Sequence, residues 1–501
     1  MTGLMDIIAT VSGRVVCGSA DVCVVNIAFD SRSVEPGSLF VCVTGNHADG
    51  HNYIANAVER GAVAVVVEEA VWAQRREEIL GKAAGATVVV TENTRRALAY
   101  FSACLYDYPS EKLRVYGLTG TKGKTTCSYI LRKIFLEAKK SVGFVGTTAV
   151  IAGDKEWDSN KTTPEAATLQ CYLKQMVDAG DEICVMEVSS TGLKQQRAEC
   201  IAFQAAAFLN LYTDHIGPDE HEDMEEYFSW KMALLDRVPI AFVNGDISYT
   251  DQVVERVVSR GGKVYTFGFG ENCDVRATEF RNTQPDGADG STFVLSSPWY
   301  QGELVMNIPL EFNVMNALCA ICFASLEGIP FETIQSALKK VSIPGRIQKI
   351  PFAGDFTVYV DYAHNPKSLE HLLKALRKEC KGRLITVFGC GGDRSLERRH
   401  DMGEVSGWNS DFTIVTTDNP RSEDPRTIME AIAGGIPEHA PYVMIENRRE
   451  AIQEAISMAK TDDMVIIAGK GHEKTQTICG ISYPFDDAVV AAECLAQIRT
   501  N

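Results

Sequence analysis

No run of apolar residues approaches the ~20 needed to span a bilayer. The opening Met-Thr-Gly-Leu-Met-Asp has neither the basic start nor the apolar stretch of a secretory signal, so a cytoplasmic protein is expected. Positive charge is in short supply: 49 Lys and Arg face 66 Asp and Glu, a formal net charge of -17. That deficit argues against a nucleic-acid partner, which requires clustered Lys and Arg. It leaves room for a nucleotide or an anionic small substrate, because a local basic pocket can sit in an acidic protein. Cysteine pairing is also missing. The 15 cysteines are scattered, mostly in apolar segments such as Ile183-Cys-Val-Met186, as in a reducing compartment where Cys serves as a small hydrophobe. One Cys-x-x-Cys, Cys319 to Cys322, has no second pair or histidine at a zinc-like spacing and reads as a buried helix face. Heptads, repeats and low-complexity tracts are absent, so neither a coiled coil nor a solenoid is expected.

What is present is a chain of 501 residues, too long for one ordinary core. Apolar strand-like runs alternate with helical patterns, the signature of mostly parallel sheets. Three α/β domains are expected: a smaller one over 1–108, a central one over 109–343 with a P-loop-type sheet, and a Rossmann-like one over 344–501. In the first, Ser38 to Val43 and Ala62 to Val67 read as strands, and Ile54 to Arg60 as a helix ending at Gly61. In the second, strands are expected at Leu113–Leu118, Ile183–Val188, Ala205–Leu209 and Ile240–Asn244, with a hairpin or loop insertion at Asn282–Ser291. In the third, strands are expected at Thr357–Val360, Leu384–Phe388, Thr413–Thr416 and Met464–Ala468.

The sharpest local signal is Gly117-Leu-Thr-Gly-Thr-Lys-Gly-Lys-Thr-Thr126. A strand leads into it, and Cys127, Ile130, Leu131, Ile134 and Phe135 follow at helical spacing. Glycines let backbone N–H groups approach phosphate oxygens, and the helix N-terminus favours negative charge. Lys124 would reach the terminal phosphates and the Thr125 hydroxyl would ligate magnesium. Glu187 ends a strand, where a carboxylate lies beside the ligand crevice, and magnesium prefers oxygen ligands. His215 follows another strand end and joins Glu187 as a candidate ligand.

The spacing Gly117-x-x-Gly120-x-x-Gly123-Lys124-Thr125 departs from the strict P-loop and resembles that of the Mur ligase and folylpolyglutamate synthetase superfamily. Lys122 stands where that loop usually has Asn. Further matches run from residue 29 to 473. The resemblance implies an ATP site of Gly120, Thr121, Lys122, Gly123, Lys124, Thr125 and Thr126, joined by Asn313 of Phe312-Asn-Val-Met-Asn316, by Arg346, and by Asp361 of Val360-Asp-Tyr-Ala-His-Asn-Pro366. It implies metal contacts from Glu187, His215 and Lys231. Lys231 lies in His221-Glu-Asp-Met-Glu-Glu-Tyr-Phe-Ser-Trp-Lys231, and would carry a carbamate that binds a second Mg2+. Carbamylation requires a neutral amine, so a lowered lysine pKa is expected. Phe29, Ser31 and His47, Ala48 and Asp49 match the family's UDP contacts. Thr162, Thr163, Ser189, Gln195 and Arg197 match its other contacts to the UDP-linked substrate, with Thr191 replacing a usual His, Lys161 a usual Asn and Asn365 a usual Thr.

Three stretches carry specificity for the incoming amino acid by the same resemblance: Gly391 to Arg399, Asp418-Asn-Pro-Arg421 and Gly469-Lys-Gly-His-Glu473. Arg399, Asp418, Asn419, Pro420, Arg421, Gly469 and Glu473 are the expected contacts. Asp-Asn-Pro-Arg resembles the diaminopimelate-adding members. Meso-diaminopimelate carries a carboxylate beside its distal amine, whereas lysine has the amine alone. A guanidinium there pairs with the first and repels the second. The reaction implied is ATP-dependent amide formation: phosphorylation of the D-Glu γ-carboxylate of UDP-MurNAc-L-Ala-D-Glu, then attack by the amine, in a monomer with no nucleic-acid or membrane partner. The alternatives are the same ligase adding L-lysine, a folylpolyglutamate synthetase-like ligase, and a non-catalytic nucleotide-binding regulator.

Overall fold

The computed structural model describes residues 2–45, 48–159, 161–217, 220–283, 290–393 and 395–498. The chain divides between Val341 and Ser342 into two compact units. The first unit contains a five-stranded and an 11-stranded sheet, and the second a six-stranded sheet. All three are α/β, as the alternation of strand and helix patterns requires.

The five-stranded sheet runs Arg14–Cys17, Thr87–Thr91, Ala64–Glu68, Ser38–Val41, Asn26–Ala28. Its pairings are parallel apart from the Arg14–Cys17 edge. Val65, Val66 and Val67 are fully buried, because parallel strands are covered on both faces. The helix Ile54–Glu59 ends before Gly61, whose φ of 99° suits glycine. One face of the sheet shares a core with Ala166 and Ala167, which open the helix Ala166–Ala179 and tie this sheet to the next.

In the 11-stranded sheet the run from Val142–Val145 through Ile183–Glu187, Arg114–Thr119, Phe203–Phe208, Ile240–Asn244 and Lys263–Gly268 to Val275–Thr283 is parallel. Antiparallel strands close both edges. Of the hairpin or loop insertion expected at Asn282–Ser291, a hairpin pairing is present, with Asn282 opposite Ser291; residues 284–289 lie outside the described residues. The phosphate-loop helix spans Lys124–Glu137, and Cys127, Ile130, Leu131, Ile134 and Phe135 are all fully buried. Cys319 and Cys322 lie fully buried on the helix Glu311–Leu326, as expected for a helix face.

The six-stranded sheet runs Gln348–Lys349, Thr357–Asp361, Met464–Ala468, Leu384–Phe388, Phe412–Val415, Tyr442–Met444, parallel apart from the first pairing. An added hairpin, Thr475–Ile478 with Ile481–Pro484, was not evident in the sequence. No helix among the described residues is long and apolar enough to cross a membrane.

Candidate active site

In the first unit the strand Arg114–Thr119 delivers the chain into the glycine loop and the helix begins at Lys124. Gly123 has a φ of 87°, which strains any larger residue, and a Cβ there would meet Asn316 Oδ1 at 2.5 Å and displace that side chain. That contact places the start of the helix Glu311–Leu326 against the loop. Asn313 is buried on the same turn, its amide donating to the Pro309 carbonyl at 2.8 Å. Lys124 folds back on the loop, its ammonium 2.7 Å from the Gly120 carbonyl. Thr125 and Thr126 are buried in the first helical turn.

The Thr125 hydroxyl donates to Glu187 Oε2 at 3.0 Å. The same carboxylate accepts from the Thr147 backbone N–H at 3.2 Å and the Thr147 hydroxyl at 2.9 Å. Two oxygens about 3.0 Å apart suit adjacent corners of an octahedron with metal–oxygen distances near 2.1 Å. Glu187 and Thr125 therefore fit a magnesium ion. Thr147 had no sequence signal, since nothing local marks a loop threonine that reaches a strand-end carboxylate.

Lys122, the departure from the family's Asn, pairs with Asp214 at 2.9 Å. Its backbone N–H donates to Asn210 Oδ1 at 2.9 Å, and the Asn210 amide donates back to the Lys122 carbonyl at 3.1 Å. Burial raises the Asp214 carboxyl, but Lys122 and His215 outweigh that and hold it at about 2. Thr121 is tied to the same segment: its hydroxyl accepts from the Tyr212 N–H and from the Tyr227 phenol, both at 3.0 Å. His215 takes a left-handed φ of 58° and pairs with Glu220 at 2.6 Å. Among the described residues no hydrogen bond joins it to Glu187.

Lys231 is 1% exposed on the helix Met224–Leu235, its ammonium 4.4 Å from the Tyr227 ring centre. Asp223 caps this helix, accepting from the Glu226 N–H at 2.8 Å. Burial, then the nearby Lys124, pushes the Lys231 amine well below its ordinary range, Asp214 opposing.

Thr162, Thr163, Ser189, Gln195 and Arg197 join into one network beside Glu187. The Thr163 hydroxyl donates to the Glu187 carbonyl at 3.1 Å and accepts from the Ser189 N–H at 3.0 Å. Thr162 meets Thr147 at 3.0 Å. Arg197 donates to the Thr163 carbonyl at 3.0 Å, pairs with Glu165 at 2.9 Å and bonds Gln195. In the five-stranded domain, Ser31 is buried in a short helical turn capped by Asp30, Phe29 is half-buried, and Ala48 is exposed. Asp49 is engaged internally: it accepts from the His51 N–H at 3.0 Å, from His51 Nδ1 at 2.6 Å and from Arg75 at 3.2 Å. His47 lies outside the described residues.

The second unit holds a pocket at the carboxyl ends of its strands, the general ligand position in open α/β sheets. Tyr362, Gly389 to Gly391, Asp418 and Gly469 line it, each just past a strand, with His364, Arg398, Arg399, Asn419, Arg421 and Glu473. The sequence-expected Arg399, Asp418, Asn419, Arg421, Gly469 and Glu473 thus converge. Pro420 is buried behind them, its carbonyl so close to Gly392 that a Cβ would approach to 1.9 Å. Arg421 takes a φ of 54°. The added hairpin holds it there: the Arg421 N–H donates to the Thr477 carbonyl at 3.1 Å, and its carbonyl accepts from the Cys479 N–H at 2.6 Å. The Arg421 guanidinium donates to the Gly392 carbonyl at 3.0 Å. Arg399 already has a carboxylate of its own, Glu423, through contacts of 2.9 and 2.6 Å.

Burial raises the Asp418 carboxyl, against the pull of Lys470 and Arg448. Arg448 and Asp487, both fully buried in side chain, pair at 2.7 Å. Arg448 also donates to the carbonyls of Thr417 at 3.3 Å and Ala468 at 3.0 Å, fixing the two strand ends that carry Asp418 and Gly469. Elsewhere in this unit, Asp361 is buried and accepts from the Ile347 and Ala363 N–H groups at 2.8 Å. The Arg346 guanidinium lies 4.6 Å from the Tyr362 ring centre, with its Nε buried and unbonded.

A phosphate-loop-type strand–loop–helix and a strand-end pocket lined by charges of both signs define an α/β protein of the nucleotide-binding class. Residues 24–106 match the Mur ligase family catalytic domain, 118–324 the Mur ligase middle domain, and 345–471 the Mur ligase glutamate ligase domain. A UDP-N-acetylmuramoyl-L-alanyl-D-glutamate--2,6-diaminopimelate ligase of Clostridium acetobutylicum is 38% identical, with 99% of each chain covered. One from Caldanaerobacter subterraneus is 39% identical, with 96% of each covered. A solved structure of such a ligase superimposes with a TM-score of 0.66 at 27% identity, covering 95% of each chain. The chain belongs to the Mur ligase family.

Proposed function

We propose that this chain is an ATP-dependent ligase that joins meso-2,6-diaminopimelate to the D-Glu γ-carboxylate of UDP-MurNAc-L-Ala-D-Glu through an acyl phosphate. The observation that carries the proposal is that one chain holds two sites, one in each unit. A magnesium-compatible Thr125–Glu187 pair sits at a phosphate loop, and a strand-end pocket gathers Arg421, Asp418, Asn419 and Glu473. The near-full-length likeness to diaminopimelate ligases supports it.

Gly120, Thr121, Lys122, Gly123, Lys124, Thr125 and Thr126 would cradle the ATP phosphates, exchanging the loop's internal contacts for phosphate oxygens. Asn313 would join that site, and Arg346 and Asp361 are proposed as further nucleotide contacts. Lys124 neutralises charge on the transferring phosphoryl group. Glu187 and the Thr125 hydroxyl would hold Mg2+, with His215 and Lys231 serving a second ion; the metal supplies charge neutralisation on phosphate oxygens. Lys231 would serve as a carbamate: its neutral amine adds to CO2, forming an N–C bond and releasing one proton. The UDP-linked substrate would lie along Phe29, Ser31, His47, Ala48 and Asp49, then Thr162, Thr163, Ser189, Gln195 and Arg197. Three functional domains follow, 1–108, 109–343 and 344–501, in a cytoplasmic monomer.

Arg421 would pair with the distal carboxylate of diaminopimelate and Glu473 accept from its ammonium. Arg399, already engaged by Glu423, would hold the pocket wall. Phosphate release in the presence of ATP and UDP-MurNAc-L-Ala-D-Glu, compared with meso-diaminopimelate and with L-lysine, tests the proposal. Release that depends on diaminopimelate is expected. Preference for lysine, or release needing neither amino acid, would overturn it. Lys231→Ala should lose activity, and bicarbonate should restore activity lost on dialysis in the unmodified protein only; equal activity of the variant would remove the carbamate role.

A further inference from the structure

Lys470 lies inside the third stretch of the amino-acid pocket, Gly469 to Glu473, and has no role in the reaction as described so far. Its side chain is fully buried, and its ammonium has three acceptors: Glu473 Oε2 at 2.9 Å, Asn419 Oδ1 at 3.2 Å and the Thr475 carbonyl at 2.7 Å. The Asn419 amide donates to the same Glu473 oxygen at 2.8 Å, and Asn419 Oδ1 also accepts from the Thr477 N–H at 2.9 Å. Both donors to Glu473 therefore meet Oε2. Oε1 carries no protein hydrogen bond among the described residues.

We infer that Lys470 is a specificity-determining residue that acts through Glu473: it offsets the charge of that carboxylate and presents Oε1 alone to the incoming amino acid. This rests on the diaminopimelate reading above. The charges lining the pocket are Arg398, Arg399 and Arg421 against Asp418 and Glu473. Arg399 is offset by Glu423 and Glu473 by Lys470. At neutral pH diaminopimelate has two carboxylates and two ammonium groups, so it is neutral overall; lysine has one fewer carboxylate and is a monocation. An uncompensated Glu473 would draw the monocation through the field of the whole pocket. With Lys470 behind it, the carboxylate still accepts one hydrogen bond from an ammonium but adds little net attraction. Discrimination then falls to Arg421, which rewards the second carboxylate.

The test is a charge series read as the ratio of kcat/KM for meso-diaminopimelate to that for L-lysine, in the full-length protein. Lys470→Met keeps the length of the side chain and leaves Glu473 uncompensated; the ratio should fall at least tenfold. Glu473→Gln leaves Lys470 uncompensated; the ratio should rise several-fold, although kcat/KM falls for both amino acids. Lys470→Met with Glu473→Gln removes both charges and should return the ratio toward the unmodified value. KM for ATP should stay within about twofold throughout. The Glu473→Gln arm carries the test even where Lys470→Met yields no folded protein. A ratio that stays constant while both activities drop means that Lys470 is merely structural, and overturns the inference. Lysine preference in the unmodified protein would instead overturn the diaminopimelate reading itself.

Discussion

The phosphate loop and the amino-acid pocket solve the same problem, holding charge in place before a ligand arrives, in opposite ways. Around the loop the charged and polar groups are held mostly by partners that a ligand can replace: Thr125 donates to Glu187 and Lys124 to loop carbonyls. Such contacts exchange for phosphate and metal with little rearrangement. The pocket is instead framed by ion pairs in which at least one partner is almost fully buried. Arg399–Glu423 and Lys470–Glu473 each tie a pocket-lining side chain to one outside the lining, and Arg448, paired with Asp487, holds the carbonyls before Asp418 and Gly469. A polyphosphate site tolerates self-contact because its ligand brings many charges. A zwitterion brings few, so its selection depends on how each protein charge is offset.

This contrast can be broken at its strongest point. Arg448→Met leaves Asp487 as an unpaired buried charge and should cost about 3–5 kcal/mol of stability, measured by urea unfolding. Arg448→Met with Asp487→Leu should recover most of that stability. It should still raise KM for the amino acid, because the Thr417 and Ala468 carbonyls lose their donor. Full recovery of KM would mean that the pair only supports the core. Lys124→Ala should lower kcat about 10²–10³-fold with an almost unchanged thermal midpoint; a midpoint falling by more than a few degrees would show that the loop depends on its self-contacts. Arg421→Ala should cost about 1.5–3 kcal/mol of amino-acid binding, read as a raised KM for diaminopimelate with KM for ATP unchanged.

The smallest effect belongs to Lys122. Its pairing holds the Asp214 carboxyl at about 2, below the ordinary 3.8. A depressed carboxyl contributes stability that is complete above about pH 4 and lost as pH falls toward 2. Lys122→Asn, which restores the residue usual in the family, should cost less than about 1 kcal/mol because the pair is partly solvated. The acid-unfolding midpoint should move upward by a fraction of a pH unit; no movement would mean that Asn210, not Asp214, is the partner that matters.

Much of the scaffold is legible in the sequence. Ile240–Asn244, Leu384–Phe388 and Met464–Ala468 are strands with the expected ends, because runs of apolar β-formers buried on both faces have no other stable use. The other expected strands are displaced at one or both ends, as with Phe412–Val415 in place of Thr413–Thr416, since sheet pairing rather than propensity sets where a strand stops. The hairpin Thr475–Pro484 carries little signal in the sequence: its strands are four residues each, and only Thr475–Ile478 is partly buried. Its purpose, clamping Arg421 in a left-handed conformation, is a contact between loops.

By itself the sequence determined three α/β sheets, a loop able to bind polyphosphate, and motifs whose residues converge at strand ends. These follow from local chemistry: glycine where the backbone must approach an anion, apolar runs where strands are buried, a carboxylate where a strand stops. The tertiary structure alone decided which charges are offset. Lys122 meets Asp214 across 92 residues, Arg448 meets Asp487 across 39, and Arg399 meets Glu423 across 24. Charge compensation depends on distance in space and on exclusion of water, and neither is written in the order of residues along a chain.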